Sequence, residues 1–122
     1  MADPKTIVLV EDDDGIRETM ASLLEDEGFR VVQAANGEEG LAGIRAAGDP
    51  CLVLLDLWMP VMNGWQMLAA MRRDAELARV PVVVISAAGD LPPPDGAAAF
   101  LRKPIRLETL LANVDQFRLK AS

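Results

Sequence analysis

The chain has 122 residues, 51 % of them hydrophobic, which suits one ordinary domain with a real core and leaves no room for a second. Its 19 acidic and 12 basic residues give a net charge of −7, a field that repels a nucleic-acid backbone and argues against direct binding to one. With no histidine and a single cysteine, Cys51, the chain lacks the commonest general base and transition-metal ligand and cannot form an internal disulfide.

Thr6-Ile7-Val8-Leu9-Val10 reads as a buried parallel strand, β-branched and nearly continuous. The polar start before it, Met1-Ala2-Asp3-Pro4-Lys5, lacks the apolar stretch of a signal peptide. No apolar run reaches the roughly 20 residues needed to cross a bilayer. A reducing cytoplasm is the expected location, with no membrane partner. Asp13 or Asp14 can cap the next helix, whose expected core face is Ile16, Met20, Leu23, Leu24 and the stem of Glu27, ending at Gly28. Arg30 to Ala34 has the weaker pattern of an edge strand. Asn36-Gly37 opens a helix carrying Leu41 and Ile44, closed by Gly48 and Pro50. Cys51 to Leu55 is a third strand, with Cys51 as a small buried hydrophobe. A helix with Met67, Leu68 and Met71 follows Met59-Pro60 and Asn63-Gly64.

Val80 to Ile85 gives a fourth strand, entered through Pro81, where no ladder donor is lost. Phe100-Leu101 sits where a short fifth strand would pair. Leu107, Leu110, Leu111, Val114 and Phe117 mark a last helix. Strands alternating with helices point to βαβ units with right-handed crossovers. The expected fold class is α/β, a flavodoxin-like doubly wound five-stranded parallel sheet in the order 2-1-3-4-5, over residues 1–122 as one domain. Pro92-Pro93-Pro94 interrupts the crossover between Ser86 and Phe100, because proline lacks a donor and turns its predecessor away from helical angles. The fourth helix, expected there, is therefore short or missing.

Glu11-Asp12 follow the first strand, Asp56 the third, Ser86 the fourth and Lys103 the fifth, so all converge at the carboxyl edge where open α/β sheets bind ligands. Crowded carboxylates repel unless they are protonated or share a cation. An all-oxygen set suits Mg²⁺. A carboxylate is also a nucleophile toward phosphorus, and the Lys103 ammonium and Ser86 hydroxyl could stabilise the charge that results. Taken singly, each has a plain reading: an N-cap, a turn residue, a turn hydroxyl, a surface lysine, core packing for Phe100, packing for Trp58 and Trp65.

Leu9-Val10-Glu11-Asp12-Asp13, Leu55-Asp56-Leu57-Trp58-Met59-Pro60 with Asn63-Gly64, Ile85-Ser86-Ala87 and Arg102-Lys103-Pro104, each after its strand, resemble the receiver domains of two-component response regulators. The resemblance implies that Asp56 is the phosphoacceptor of a signalling domain. Glu11, Asp12, Asp56 and the main-chain carbonyl of Trp58 would hold Mg²⁺, with Glu11 acting through water. Lys103 would pair with the phosphoryl group, and Lys103-Pro104 would be a cis peptide. Ser86 and Phe100 would be the switch pair. The donor would be a phosphohistidine on a histidine kinase or histidine phosphotransfer domain, and output would pass through a contact with a protein partner. The domain would catalyse only its own phosphoryl transfer and slow self-dephosphorylation. Glu11 stands where aspartate is commoner, and the stretch from Ser86 to Lys103 is short for the family. Because the usual dimer face is built on the fourth helix, a monomer is expected.

Two other readings stay open. A Mg²⁺-dependent phosphatase of the haloacid dehalogenase type would need an acid two residues after its nucleophile, where this chain has Trp58. The other is an unphosphorylated protein-binding module on the same fold, against which the intact acid pair, Asp56, Ser86 and Lys103 argue. A flavin-binding flavodoxin is disfavoured by the acidic first loop, which would repel the flavin phosphate.

Overall fold

The structure, a computed structural model, describes residues 5–87 and 96–120. Among them run β1 (Thr6–Val10), α1 (Asp14–Asp26), β2 (Arg30–Ala34), α2 (Gly37–Ala47), β3 (Leu52–Asp56), α3 (Gly64–Arg72), β4 (Val82–Ser86), β5 (Ala99–Arg102) and α4 (Leu107–Lys120). The strands form one parallel sheet in the order β2-β1-β3-β4-β5. This is the flavodoxin-like order expected of alternating strands and helices.

Side chains alternate across a strand, so each strand feeds two cores. Ile7, Leu9, Leu52, Leu54, Val83, Ile85 and Leu101 pack with Ala21 and Leu24 of α1 and with Leu110, Val114 and Phe117 of α4. Val8, Val10, Val53, Leu55, Val82 and Val84 pack on the other face with Leu41 and Ile44 of α2 and Met67, Leu68 and Met71 of α3. β1, β3 and β4 are covered on both faces and are apolar almost throughout, whereas the edge strand β2 mixes exposed and half-buried positions. Cys51 joins the first core at 3 % exposure and donates its main-chain N–H to the Thr6 carbonyl, at the amino edge of the sheet.

Three local expectations are corrected. On α1, Ile16 is 43 % exposed, and Glu27 is exposed as well. The Asp13 carboxylate accepts the Ile16 N–H at 2.9 Å, and the helix started there turns Arg17, Met20, Ala21 and Leu24 inward. β4 begins at Val82 rather than Val80, because Val80 closes a 3₁₀ turn over Leu77–Arg79 and Pro81 has no N–H for the ladder. β3 begins at Leu52, one residue late. In the crossover from β4 to β5, Ala87 and Gly96 to Ala98 are not helical, and the expectation for residues 88–95 lies outside the described residues. No helix among the described residues is long and apolar enough to cross a membrane.

Candidate functional site

The alternation that sorts the cores also builds the site. Glu11 continues the column Ile7-Leu9, Asp56 continues Leu52-Leu54, and Lys103 continues Ala99-Leu101, all on the face of α1 and α4. Three strands thus deliver two acids and a lysine to one corner of the carboxyl edge. Glu11 is 3 % and Asp56 8 % exposed, while Asp12 is open to solvent. One carboxylate oxygen from each of Glu11, Asp12 and Asp56 lies within 4.8 Å of the others. Lys103 Nζ donates to Glu11 Oε1 at 3.1 Å and stands 3.8 Å from Asp56 Oδ2. Its main-chain N–H donates to the Ser86 carbonyl at 2.8 Å, and the Lys103–Pro104 peptide bond is cis.

The charges do not balance within this corner. Burial raises the Glu11 pKa above the ordinary carboxylate value, and the neighbouring Asp56 adds to the rise; Lys103 opposes both. Asp12 is raised too, by desolvation and then by its contact with Glu11. Desolvation works against the Lys103 ammonium, but the Glu11 hydrogen bond and the surrounding carboxylates outweigh it and hold the pKa above the usual lysine value. Glu11 Oε2 is buried and accepts no hydrogen bond among the described residues. A buried carboxylate oxygen without a donor is costly. Three carboxylates with oxygens this close together, and a buried Glu11 oxygen without a donor among the described residues, fit a hard divalent cation.

The loop after β3 is held against this corner by close backbone approach. The Gly64 N–H donates to the Leu57 carbonyl at 2.9 Å, and a Cβ on Gly64 would lie 2.6 Å from the Asp56 carbonyl oxygen. Asn63 and Gln66 form a reciprocal capping box that starts α3 at this point. The Met62 N–H bonds to the Pro60 carbonyl at 2.7 Å around Val61, whose φ of 67° is strained for a β-branched residue. The Trp58 side chain, 56 % exposed, meets Trp65 edge to face with ring centroids 4.7 Å apart.

Ser86 ends β4 at the same carboxyl edge, but its side chain and that of Phe100 turn to the other face of the sheet. Both belong to the face of α2 and α3: Val84 pairs with Phe100 and Ser86 with Arg102, so serine and aromatic are diagonal neighbours. Ser86 is fully buried, yet among the described residues its hydroxyl reaches only the Ala87 carbonyl, at 3.5 Å, the outer limit of a hydrogen bond. Phe100 is half-buried against the second core.

The sequence model described as "Response regulator receiver domain" matches residues 7–115. The chain belongs to the response regulator receiver domain family. It is 37 % identical over 123 residues to Response regulator Rre1 of Synechocystis sp., covering 93 % of this chain and 53 % of that protein. It is 33 % identical over 113 residues to the DNA-binding dual master transcriptional regulator RpaA of the same organism, covering 88 % and 46 %. This receiver chain thus spans about half the length of these two curated relatives. Because one of them is named as DNA-binding, the comparisons lend no support to the expectation of no nucleic-acid partner. Among solved structures, the chemotaxis response regulator CheY4 of Vibrio cholerae superposes with a TM-score of 0.81 at 28 % identity, covering 93 % of this chain and 98 % of that one.

Receiver domains are signalling domains of two-component systems rather than classical enzymes, and response regulators receive phosphate from histidine kinases. Of the residues singled out from the sequence of this receiver, Glu11, Asp12, Asp56 and Lys103 meet in one corner. Ser86 and Phe100 turn to the opposite face, and Trp58 is 56 % exposed while packing on Trp65. Arg17, Gln33 and Gln66 were not singled out. Of these, Arg17 had a visible signal: it stands four residues before Ala21 and seven before Leu24, on the stripe that faces inward.

Proposed function

We propose that Asp56 accepts a phosphoryl group from a phosphohistidine on a histidine kinase or histidine phosphotransfer domain. Asp56 Oδ attacks phosphorus, an O–P bond forms as the P–N bond breaks, and the released imidazole nitrogen keeps its electron pair and takes up a proton. Glu11, Asp12, Asp56 and the main-chain carbonyl of Trp58 would hold Mg²⁺, which neutralises charge on the transferring group when bound. Lys103 leans toward Asp56 from 3.8 Å and is free to exchange its hydrogen bond to Glu11 for one to the phosphoryl oxygens. Ser86 then donates its hydroxyl to the phosphoryl group, and Phe100, diagonal to it, moves inward and changes a protein-binding surface. The unit acts as one cytoplasmic domain over residues 1–122 and stays monomeric.

The observation that carries this reading is the corner itself: two buried carboxylates and a lysine on one column face, with one carboxylate oxygen unsatisfied. The test is intact mass after incubation with acetyl phosphate and Mg²⁺. One phosphoryl group should appear, should be removed by hydroxylamine as an acyl phosphate is, and should be absent from Asp56→Asn. Undiminished labelling of Asp56→Asn would overturn it.

A further inference from the structure

Arg17 is 13 % exposed in its side chain, unusual for an arginine in the first turn of a helix at an acidic edge. Its guanidinium uses all three nitrogens. Nη1 donates to the main-chain carbonyl of Glu11 at 2.9 Å, Nη2 to Asp14 Oδ1 at 2.7 Å, and Nε to Gln33 Oε1 on β2 at 3.2 Å. The Glu11 carbonyl belongs to the peptide that joins Glu11 to Asp12. On its other side the Glu11 N–H donates to the Ala34 carbonyl at 3.0 Å, so both main-chain polar groups of Glu11 are tied down, one by β2 and one by Arg17.

We infer that Arg17 is a positioning residue for the acid pair: by gripping the peptide between Glu11 and Asp12 it keeps both carboxylates aimed into the site. The inference rests on the reading of that site as a Mg²⁺ centre. The physical need is plain. Glu11, Asp12 and Asp56 repel one another until a cation arrives, and the cheapest relief would be rotation of that peptide, which swings the already exposed Asp12 away from the other two acids. A bond from a charged donor opposes this rotation, and the planar fork lets one side chain brace the peptide against both α1 and β2. Lysine, with a single nitrogen, cannot reach three acceptors spread this way. The Asp14 partner is 79 % exposed in its side chain, so that ion pair adds little and is not the reason for the arrangement.

The experiment is a Mg²⁺ titration of the full chain followed by tryptophan fluorescence, with thermal melting in the absence of Mg²⁺ run in parallel. Arg17→Lys and Arg17→Met should weaken Mg²⁺ binding about tenfold or more, as loss of groups that orient metal ligands does, while the folded fraction at the titration temperature is unchanged. Gln33→Ala removes one brace and keeps the arginine, so it should weaken binding by less and serves if Arg17→Met fails to fold. Asp14→Asn should bind Mg²⁺ as the parent does. Arg17 variants that bind Mg²⁺ within twofold of the parent would overturn the inference and leave the ion site standing. So would a weakening that follows only the loss of folded protein. A parent chain that shows no binding of Mg²⁺ overturns the ion site and this inference together.

Discussion

The two halves of the carboxyl edge are built differently. On the β1–β3 side, backbone and side chains are pinned: Glu11 at both main-chain groups, the Asp56 loop by Gly64, and α3 by its capping box. On the β4–β5 side, the Ser86 hydroxyl has one long bond among the described residues and Phe100 is half-buried. A site that must hold opposed charges in a fixed array before any ligand arrives needs the first kind of construction. A side chain that must change partners needs the second, because a strong existing bond would have to be broken first.

Ser86→Ala is the sharpest probe of the loose half. A hydrogen bond to a charged phosphoryl group contributes roughly 1.5–3 kcal/mol, so its loss should shift the switched population by about ten- to a hundredfold. Labelling of Asp56 should persist, and the unphosphorylated protein should melt almost as before, since the bond removed is long. NMR shifts at Phe100 that still follow phosphorylation in this variant would erase the distinction between the halves. Gly64→Ala probes the pinned half, where a Cβ would meet the Asp56 carbonyl oxygen at 2.6 Å. It should cost about 1–3 kcal/mol by overpacking and should disturb Mg²⁺ binding as well. A variant that melts like the parent would show that the loop has slack.

The pH dependence gives a smaller effect, confined to the acid side. Raised folded-state values for Glu11 and Asp12 mean that the folded, Mg²⁺-free chain binds protons before the unfolded chain does. Stability therefore rises as pH falls from neutral toward the ordinary carboxylate pKa, and it is lost as pH rises through that window. Saturating Mg²⁺ competes with those protons and should flatten the trend. Melting curves from neutral pH down toward the ordinary carboxylate range, with and without Mg²⁺, decide it; matching slopes would remove the repulsion between the acids as a factor.

Much of this was legible from the residues. Strand ends sent Glu11, Asp12, Asp56, Ser86 and Lys103 to one edge, and the alternation of five strands with helices pointed to the order of the sheet. The pinning was not legible. The spacing of Arg17 to Ala21 and Leu24 marks its side of α1, but the acceptors it reaches do not show in the spacing, because its bond to Gln33 spans two elements and that to the Glu11 carbonyl depends on the helix start set by Asp13. Ile16 was misplaced for the same reason, since a helix stripe two residues wide tolerates either phase until a cap fixes it. The contact of Trp58 with Trp65 depends on a loop whose path follows from the Gly64 approach, which no periodicity encodes.

The lone thiol gives the fold a built-in clock. Cys51 lies at the amino edge of the sheet, across the molecule from the acids, and is 3 % exposed within the first core. With 3 % of the residue exposed, at the wall of a surface cavity, Cys51 should react slowly with a thiol reagent in the folded state and faster when the core opens, so its labelling rate should follow the population of open molecules. Any ligand that closes on the far edge lowers that population by the factor 1 + [L]/Kd, with no contact to the cysteine at all. Slowed labelling of Cys51 would thus time-stamp events at the opposite end of the sheet, with no engineered probe added.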